Sequence, residues 1–539
     1  MNGLRGSSNN LTQDGIDIRD SFIKTSGFAN NSGYSVSLES VGEFSISGQN
    51  IGADSGAGVV QVRMATQRGG NQAHGSLFYF GRNDAFNANS WFNNKNRTPR
   101  SRLHQHRFGG SLGGPLLLPR LYNGKGRTFF FFQYSAFREN FQNTDSATVY
   151  TEAARSGLYS YTGSNGVRQT VNLLTASSRK LGLNAVTRSL INATPLPVAG
   201  KGLSLTTAGD GLNAQGVQFK VPGSDPVNQC DIRIDHKLLE NSRWGTHWLE
   251  GNWHWLRSSN APYNDPPFPP GIAANCVGAV CNSSATSVSN GALAALALNS
   301  TLGAAAFNEL RAGFNRPRIT FLPPVPFPRS FKIAFTGQVA APEDNFDPQG
   351  RLSPFYTLMD NFTRLKGTHT FKVGFLVSSA SVHRFNDWSG PGATFGLLPG
   401  VVLGGTPTND DGLANCAGFP FLPSGSTGTN ICNRARNQYV DLVGLVNNVS
   451  QTFNGVPGKG FIPGLSDEIF LRERSYNFYF TDAWKMNPSL TPSYGVRWEI
   501  VPAVDVVNGR GLIPGKQTGD LTPYGPLFTP SSSVTFNPI

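Results

Sequence analysis

Leu490-Thr491-Pro492-Ser493-Tyr494-Gly495-Val496-Arg497-Trp498-Glu499-Ile500 reads apolar and polar in strict turn. Successive side chains of a strand point to opposite sides of a sheet. Leu490, Pro492, Tyr494, Val496, Trp498 and Ile500 therefore share one face, and Thr491, Ser493, Gly495, Arg497 and Glu499 the other. The first face suits hydrocarbon and the second suits water. A strand of this kind belongs in a curved wall with lipid outside and a wet lumen inside, where closure satisfies the backbone.

Working outward, about eleven segments carry the same dyad, at roughly 74–84, 105–116, 127–140, 231–238, 244–257, 291–302, around 309–315, up to Arg364, around 370–377, 474–486 and 490–500. In the fourth, Ile232, Ile234, His236 and Leu238 oppose Asp231, Arg233, Asp235 and Lys237. Tight connections such as Lys366-Gly367 and Asn487-Pro488-Ser489 alternate with long ones over about 85–104, 141–228, 258–290, 319–353 and 383–473. Short turns on one side and long loops on the other are expected of an outer-membrane barrel, whereas a soluble sandwich has no reason to keep that asymmetry.

Composition supports strands in a membrane. Charged residues are only 14% of the 539, well short of the quarter or so usual in soluble domains, while aromatics reach 11%, too many for a disordered chain. No run approaches the roughly 18 apolar residues of a spanning helix, so any crossing is made by strands. The net charge of +12 is spread over turns and loops without a basic run, which points to anionic head groups and lipopolysaccharide rather than to nucleic acid. Of five cysteines, Cys276 with Cys281 and Cys416 with Cys432 are candidates for local disulfides in long loops, leaving Cys230 over. The eight histidines are scattered, and the closest pair, His104 and His106, lacks a nearby cluster of cysteines or carboxylates; no metal site, cofactor motif or catalytic constellation is expected.

Residues 1–72 differ from the rest. They carry few large aromatics, a turn signal at Asp14-Gly15 and mixed segments at 37–47 and 58–66, and read as a compact α+β piece in front of a barrel domain over 73–539. Met1-Asn2-Gly3-Leu4-Arg5 has no leader-like pattern and the chain stops at Ile539 in a loop-like stretch, so both ends of a longer protein are expected to lie outside this sequence.

The stretch from Gly3-Leu4-Arg5-Gly6-Ser7-Ser8-Asn9-Asn10 through Asp14-Gly15-Ile16-Asp17 resembles the plug of TonB-dependent outer-membrane receptors, in particular the Oar-like group. In the expected order follow Gly56 to Val62, Thr66 to Asn71, His74 to Phe80, Phe108 to Pro115, Arg127 to Phe132, Arg233 to His236, Asn308 to Arg311 and Asp482 to Trp484. The resemblance implies an all-β fold: an antiparallel transmembrane β-barrel of about 22 strands, present here by about half, enclosing the remnant of an α+β plug. It implies ligand capture and energised uptake across the cell outer membrane, with a TonB complex as partner of the full-length parent only, and no enzymatic activity. The ligand, an oligosaccharide, a peptide or a metal chelate, stays open. Arg5, Asn9, Asn10, Asp14 and Asp17 would seat the plug or touch ligand. Arg107, Arg233, Arg311, Lys372, Arg497 and Glu499 would line the lumen and pair with plug carboxylates, while Trp253, Trp255, Trp484 and Trp498 anchor the lipid interface. The competing readings are a passive porin or surface adhesin, in which 1–72 need not lie in the lumen, and a secreted β-rich enzyme, whose apolar faces would be buried.

Overall fold

In the computed structural model the described residues are 9–23, 35–48, 52–55, 60–95, 99–177, 179–194, 196, 204–261, 285–322, 332–336, 339–340, 347–387, 392–395, 416, 418–450, 453–456, 460–463, 465–507, 512–514 and 536–538. The N-terminal part is a four-stranded sheet of β1 (Asn9–Gln13), β2 (Ile16–Asp17), β3 (Val41–Ser47) and β4 (Val60–Thr66), in the order β2-β1-β4-β3. Asp14 and Gly15, at φ 49° and 78°, close the β1–β2 hairpin, because a two-residue turn of this hand needs left-handed backbone that aspartate tolerates and glycine adopts freely. Among the described residues of 1–72 the helical element is a single 3-10 turn, Leu38–Ser40.

Eleven strands then form one antiparallel meander in chain order: β5 (His74–Asn83), β6 (Leu103–Pro115), β7 (Thr128–Tyr150), β8 (Val227–Ser242), β9 (Gly245–Asn260), β10 (Thr286–Leu302), β11 (Ala306–Leu322), β12 (Phe355–Lys366), β13 (His369–Asn386), β14 (Asp467–Trp484) and β15 (Ser493–Ile500). Among the described residues β5 and β15 each have a single long partner, so the wall is open. Its last strand starts at Ser493 rather than Leu490, because Leu490 closes a bridge with Asn487 and the Pro492 carbonyl accepts from the Trp484 N–H.

The two faces of the wall differ as the alternation requires. Val373, Val496 and Trp498 are 48%, 64% and 65% exposed, and Ile232, Ile234 and Trp253 lie on the same outer face. Asp231, Arg233, Asp235, Glu250 and His254 are buried on the inner face. Apolar side chains sequestered between two stacked layers, as an enzyme-like sandwich demands, are thus not what these strands show. Strand β10 reads weakly in the sequence because Leu293, Ala295 and Ala297 make its inner face apolar as well.

Connections at one end are brief, at 243–244, 303–305 and 367–368, with Gly303 and Gly367 at positive φ. At the other end the described residues of the long connections carry regular structure of their own. Strand β7 runs to Tyr150 instead of ending near Asn140, and Ala214–Ser224 pairs along its extension. Beyond the lipid both faces meet water, so Asn143, Thr144, Asp145 and Ser146 show no dyad to read. The excursions over 151–226, 323–354 and 387–466 share one hydrophobic core that includes Tyr150, Tyr159, Ile191, Phe335, Tyr439 and Val440. Helices α1 (Ala185–Ala193) and α2 (Gly425–Val443) pack in this cap. Asn184 caps α1 through the Val186 and Thr187 N–H groups, and Gly444 ends α2 at φ 70°. The cap also holds the Cys416–Cys432 disulfide. Cys276 and Cys281 lie outside the described residues, and Cys230 is a free, half-buried thiol on β8.

Candidate functional site

The contact between the N-terminal sheet and the inner wall is assembled around the β1–β2 hairpin. An apolar patch comes first: Leu11, Ile16, Ile18 and Met64 pack on Leu293 and Ala295 of β10. Approach is close enough that a Cβ on Gly313 would stand 2.6 Å from Ile16 Cδ1 and 2.4 Å from the Ala294 carbonyl oxygen, so only glycine fits there.

Polar groups surround that patch. The Asp14 carboxylate accepts from the Thr66 N–H at 2.9 Å and the Thr66 hydroxyl at 2.6 Å. Its Oδ2 also lies 2.9 Å from His254 Nε2 on β9, whose Nδ1 lies 2.7 Å from Asp231 Oδ1 on β8. Ionised carboxylates only accept, so an imidazole bonded to both must donate from both nitrogens and carry a positive charge. The result is a carboxylate–imidazolium–carboxylate bridge across the contact, with all three side chains buried. Burial opposes ionisation at Asp14, but the hydrogen bonds and charge of His254, joined by Thr66, outweigh it and hold the carboxyl below its ordinary value.

Arginines complete the seat. Arg233 donates to the Thr66 carbonyl at 2.8 Å while pairing with Asp235 and Glu250 on its own wall, and Arg68 reaches the same Glu250 from the other side. Arg311 donates to the Asp14 carbonyl and pairs with Glu309. Arg351 meets Asp20 at 2.7 Å, Lys372 meets Asp54 at 2.9 Å, and Arg497 donates to the Ala53 carbonyl at 3.2 Å while pairing with Glu499. Plug carboxylates are the expected partners of the lumen cations; Lys372 meets one in Asp54, whereas Arg233, Arg311 and Arg497 reach backbone carbonyls of the small sheet and its loops. Turns and chain segments there leave carbonyls that no ladder satisfies, and a guanidinium has donors to spare for them.

Other expected residues fall outside this network. The side chains of Asn10 and Asp17 bond within the N-terminal unit, to Gln61 at 2.9 Å and to Arg19, and the Asn9 carbonyl accepts from Arg19 at 2.7 Å; only the Asp17 carbonyl reaches the wall, accepting from Asn315 Nδ2 of β11 at 3.2 Å. Arg5 lies outside the described residues. Arg107 is half-buried on the inner face of β6 and, among the described residues, takes no part in the contact. His254, Asp231, Thr66, Asp20 and Asp54 had not been singled out for the site; the inward parity of Asp231 was readable, but which partner it meets was not. His106 bonds Tyr79 at 2.7 Å and His104 lies 3.4 Å from Asp84, and no three ligands gather among the described residues. Between the sheet and the wall remains a cavity of about 1320 Å³ lined by Asp54, Arg63, Glu309, Arg311, Lys372 and Arg497 among others, a lining suited to water and to hydrophilic solutes.

Residues 65–522 match the family model described as an outer membrane beta barrel domain. No curated protein matches the sequence. Among solved structures, the outer-membrane transporter YddB of Escherichia coli aligns at 9% identity and a TM-score of 0.47, covering 92% of this chain and 49% of that one. A ferric enterobactin receptor variant of Pseudomonas aeruginosa aligns at 11% identity and a TM-score of 0.40, covering 92% and 50%. The siderophore receptor PirA of Acinetobacter baumannii aligns at 9% and 0.28, covering 92% and 68%. The chain spans about half the length of the first two.

Proposed function

This chain belongs to the outer-membrane β-barrel domain family and resides in the outer membrane, and from that premise we propose that it is the plug-bearing part of an energised, Oar-like TonB-dependent receptor. Residues 9–66 act as the plug, the eleven strands as part of its barrel, and the long-loop cap as the extracellular face. The chain performs no chemistry on its ligand. The observation that carries the reading is the seat itself: a small sheet held against the inner wall by one apolar patch and a ring of separable polar contacts.

Such a contact suits a device that must hold and then let go. A pulling force on the hairpin breaks the Asp14–His254–Asp231 bridge and the arginine–carbonyl bonds in turn, and water in the adjoining cavity solvates each freed group, which keeps the barrier to release low. The partner that pulls is a TonB complex acting on the full-length parent; the other partners are outer-membrane lipid and lipopolysaccharide. A passive porin or an adhesin needs no such seat.

The test is removal of residues 9–66 from the protein expressed in the outer membrane. Deletion should admit a hydrophilic antibiotic too large for general porins and raise single-pore conductance. Equal permeability before and after deletion would instead mark a porin or an adhesin.

A further inference from the structure

A second cavity, of about 500 Å³, lies at the long-loop end of the wall. Glu139, Phe141 and Asn143 of β7 line it, and their parity is that of Phe131, Gln133 and Ser135, which are buried on the inner face. The cavity therefore opens into the extracellular mouth of the barrel rather than toward lipid.

Residues 87–90, 93 and 100–103, between β5 and β6 and at the start of β6, line its other side, and hydrogen bonds hold them. Asp84 accepts from the Leu103 N–H at 3.0 Å, Arg100 donates to the Asn87 carbonyl at 2.7 Å, and Asn89 accepts from Asn93 Nδ2 at 2.9 Å. Carboxamides recur in the lining, at Asn87, Asn89, Asn93, Asn143 and Asn260. Among the described residues the side chains of Asn87 and Asn143 spend none of their hydrogen-bonding capacity within the protein.

We infer that this cavity binds a neutral oligosaccharide, an assignment that rests on the receptor reading above. A carboxamide offers donor and acceptor side by side in one plane, as vicinal sugar hydroxyls do, and Phe141 supplies an apolar face for the C–H side of a ring. Arg100 pairs with Asp84 at 3.6 Å, so Arg102 and Glu139 leave the lining without net charge, which suits a neutral sugar. The alternatives fit less well. An apolar ligand would find little beyond Leu103, Ala88 and Phe141, and a polyanionic metal chelate would face only two guanidiniums, one of them already engaged by the Asn87 carbonyl. The volume lies within the ordinary range of small-ligand sites.

The experiment is isothermal titration of the full chain, purified from outer membranes in detergent micelles, with a panel of cello-, malto- and xylo-oligosaccharides and the delipidated polysaccharide of the host lipopolysaccharide. Binding of at least one panel member is expected, weakened tenfold or more by Asn143→Ala and by Asn87→Ala and unchanged by Lys366→Met at the short-turn end of the wall. Asn143→Asp and Asn87→Asp keep side-chain size while removing the N–H donors, so they report on recognition even where truncation unseats the loop. Binding confined to the delipidated polysaccharide supports the sugar chemistry and makes the membrane itself the source; binding of a soluble oligosaccharide makes it an import. No binding across the panel, affinity indifferent to all four asparagine variants, or displacement by a ferric catecholate would overturn the assignment. Since the antibiotic-exclusion test does not involve sugar, such a result would leave the receptor reading standing.

Discussion

The N-terminal sheet meets the wall through ions and hydrogen bonds around a small apolar patch, whereas the cap on the long-loop side is held by a continuous hydrophobic core and a disulfide. Apolar burial is non-directional and resists disassembly until much of it is exposed together. Polar contacts depend on direction and can be exchanged one by one for water. The long-loop side is thus held mainly by apolar packing and the seat on the inner wall mainly by polar contacts, and the two regions should answer differently to the same perturbation.

The largest contrast is expected from Asp14→Ala, which leaves His254 and Asp231 without their third partner in a buried site. A cost of about 3–5 kcal/mol to docking of the N-terminal sheet is anticipated, read as accelerated hydrogen exchange over 9–17 and 60–66 with exchange over 425–443 unchanged. If both regions loosen together, they are one cooperative unit and the comparison fails.

The reverse experiment is Cys432→Ser. The bridged cysteines are 16 residues apart in sequence, a loop whose closure contributes about 3 kcal/mol. Loss should appear in the cap alone, as protease cleavage near α2, while the N-terminal sheet keeps its protection.

Acid separates the regions by sign. In the cap, Asp441 accepts from Tyr150 at 2.7 Å and from the Thr336 N–H at 3.0 Å, yet burial prevails and pushes its carboxyl up to about 6. Its folded value exceeds its ordinary 3.8, so this stabilisation is complete below about 3.8 and lost as pH rises through 6. The cap should gain up to about 3 kcal/mol on going from pH 7 to 4, and Asp441→Asn should flatten the profile. At Asp14 the folded value is depressed, so its contribution is present above 3.8 and is lost as pH falls through that lower value. Thermal unfolding followed by region-resolved exchange would check both signs.

The smallest effect is expected from Lys372→Met. Its pair with Asp54 is part-exposed, so docking should change by no more than about 1 kcal/mol. A loss comparable to that of Asp14→Ala would mean that charge anywhere along the seat suffices and that the buried bridge has no special weight.

Much of the wall was legible because lipid imposes a two-residue period that any reader can count, as in Ile232–Leu238 and Tyr494–Ile500. The ends of strands were less legible. Above the lipid the period disappears, which hid the extension of β7 to Tyr150 and its pairing with Ala214–Ser224. Helix α2 begins Gly425-Ser426-Thr427-Gly428, residues that disfavour a helix, and is held by the packing of Ala435, Tyr439 and Val440 rather than by local preference. In the candidate site, the inward direction of Arg233, Arg311, Lys372 and Arg497 followed from parity, but the acceptors of the three arginines did not, since a backbone carbonyl leaves no mark on sequence.

What the sequence determined by itself is a wall of antiparallel strands with a greasy outside, because alternation is a local property written residue by residue. Which inward groups meet across the lumen, and that three distant excursions share one core, only the tertiary structure decided. Asp14 and His254, or Tyr150 and Asp441, are hundreds of residues apart, and their distance in space depends on the register and curvature of all the strands between them.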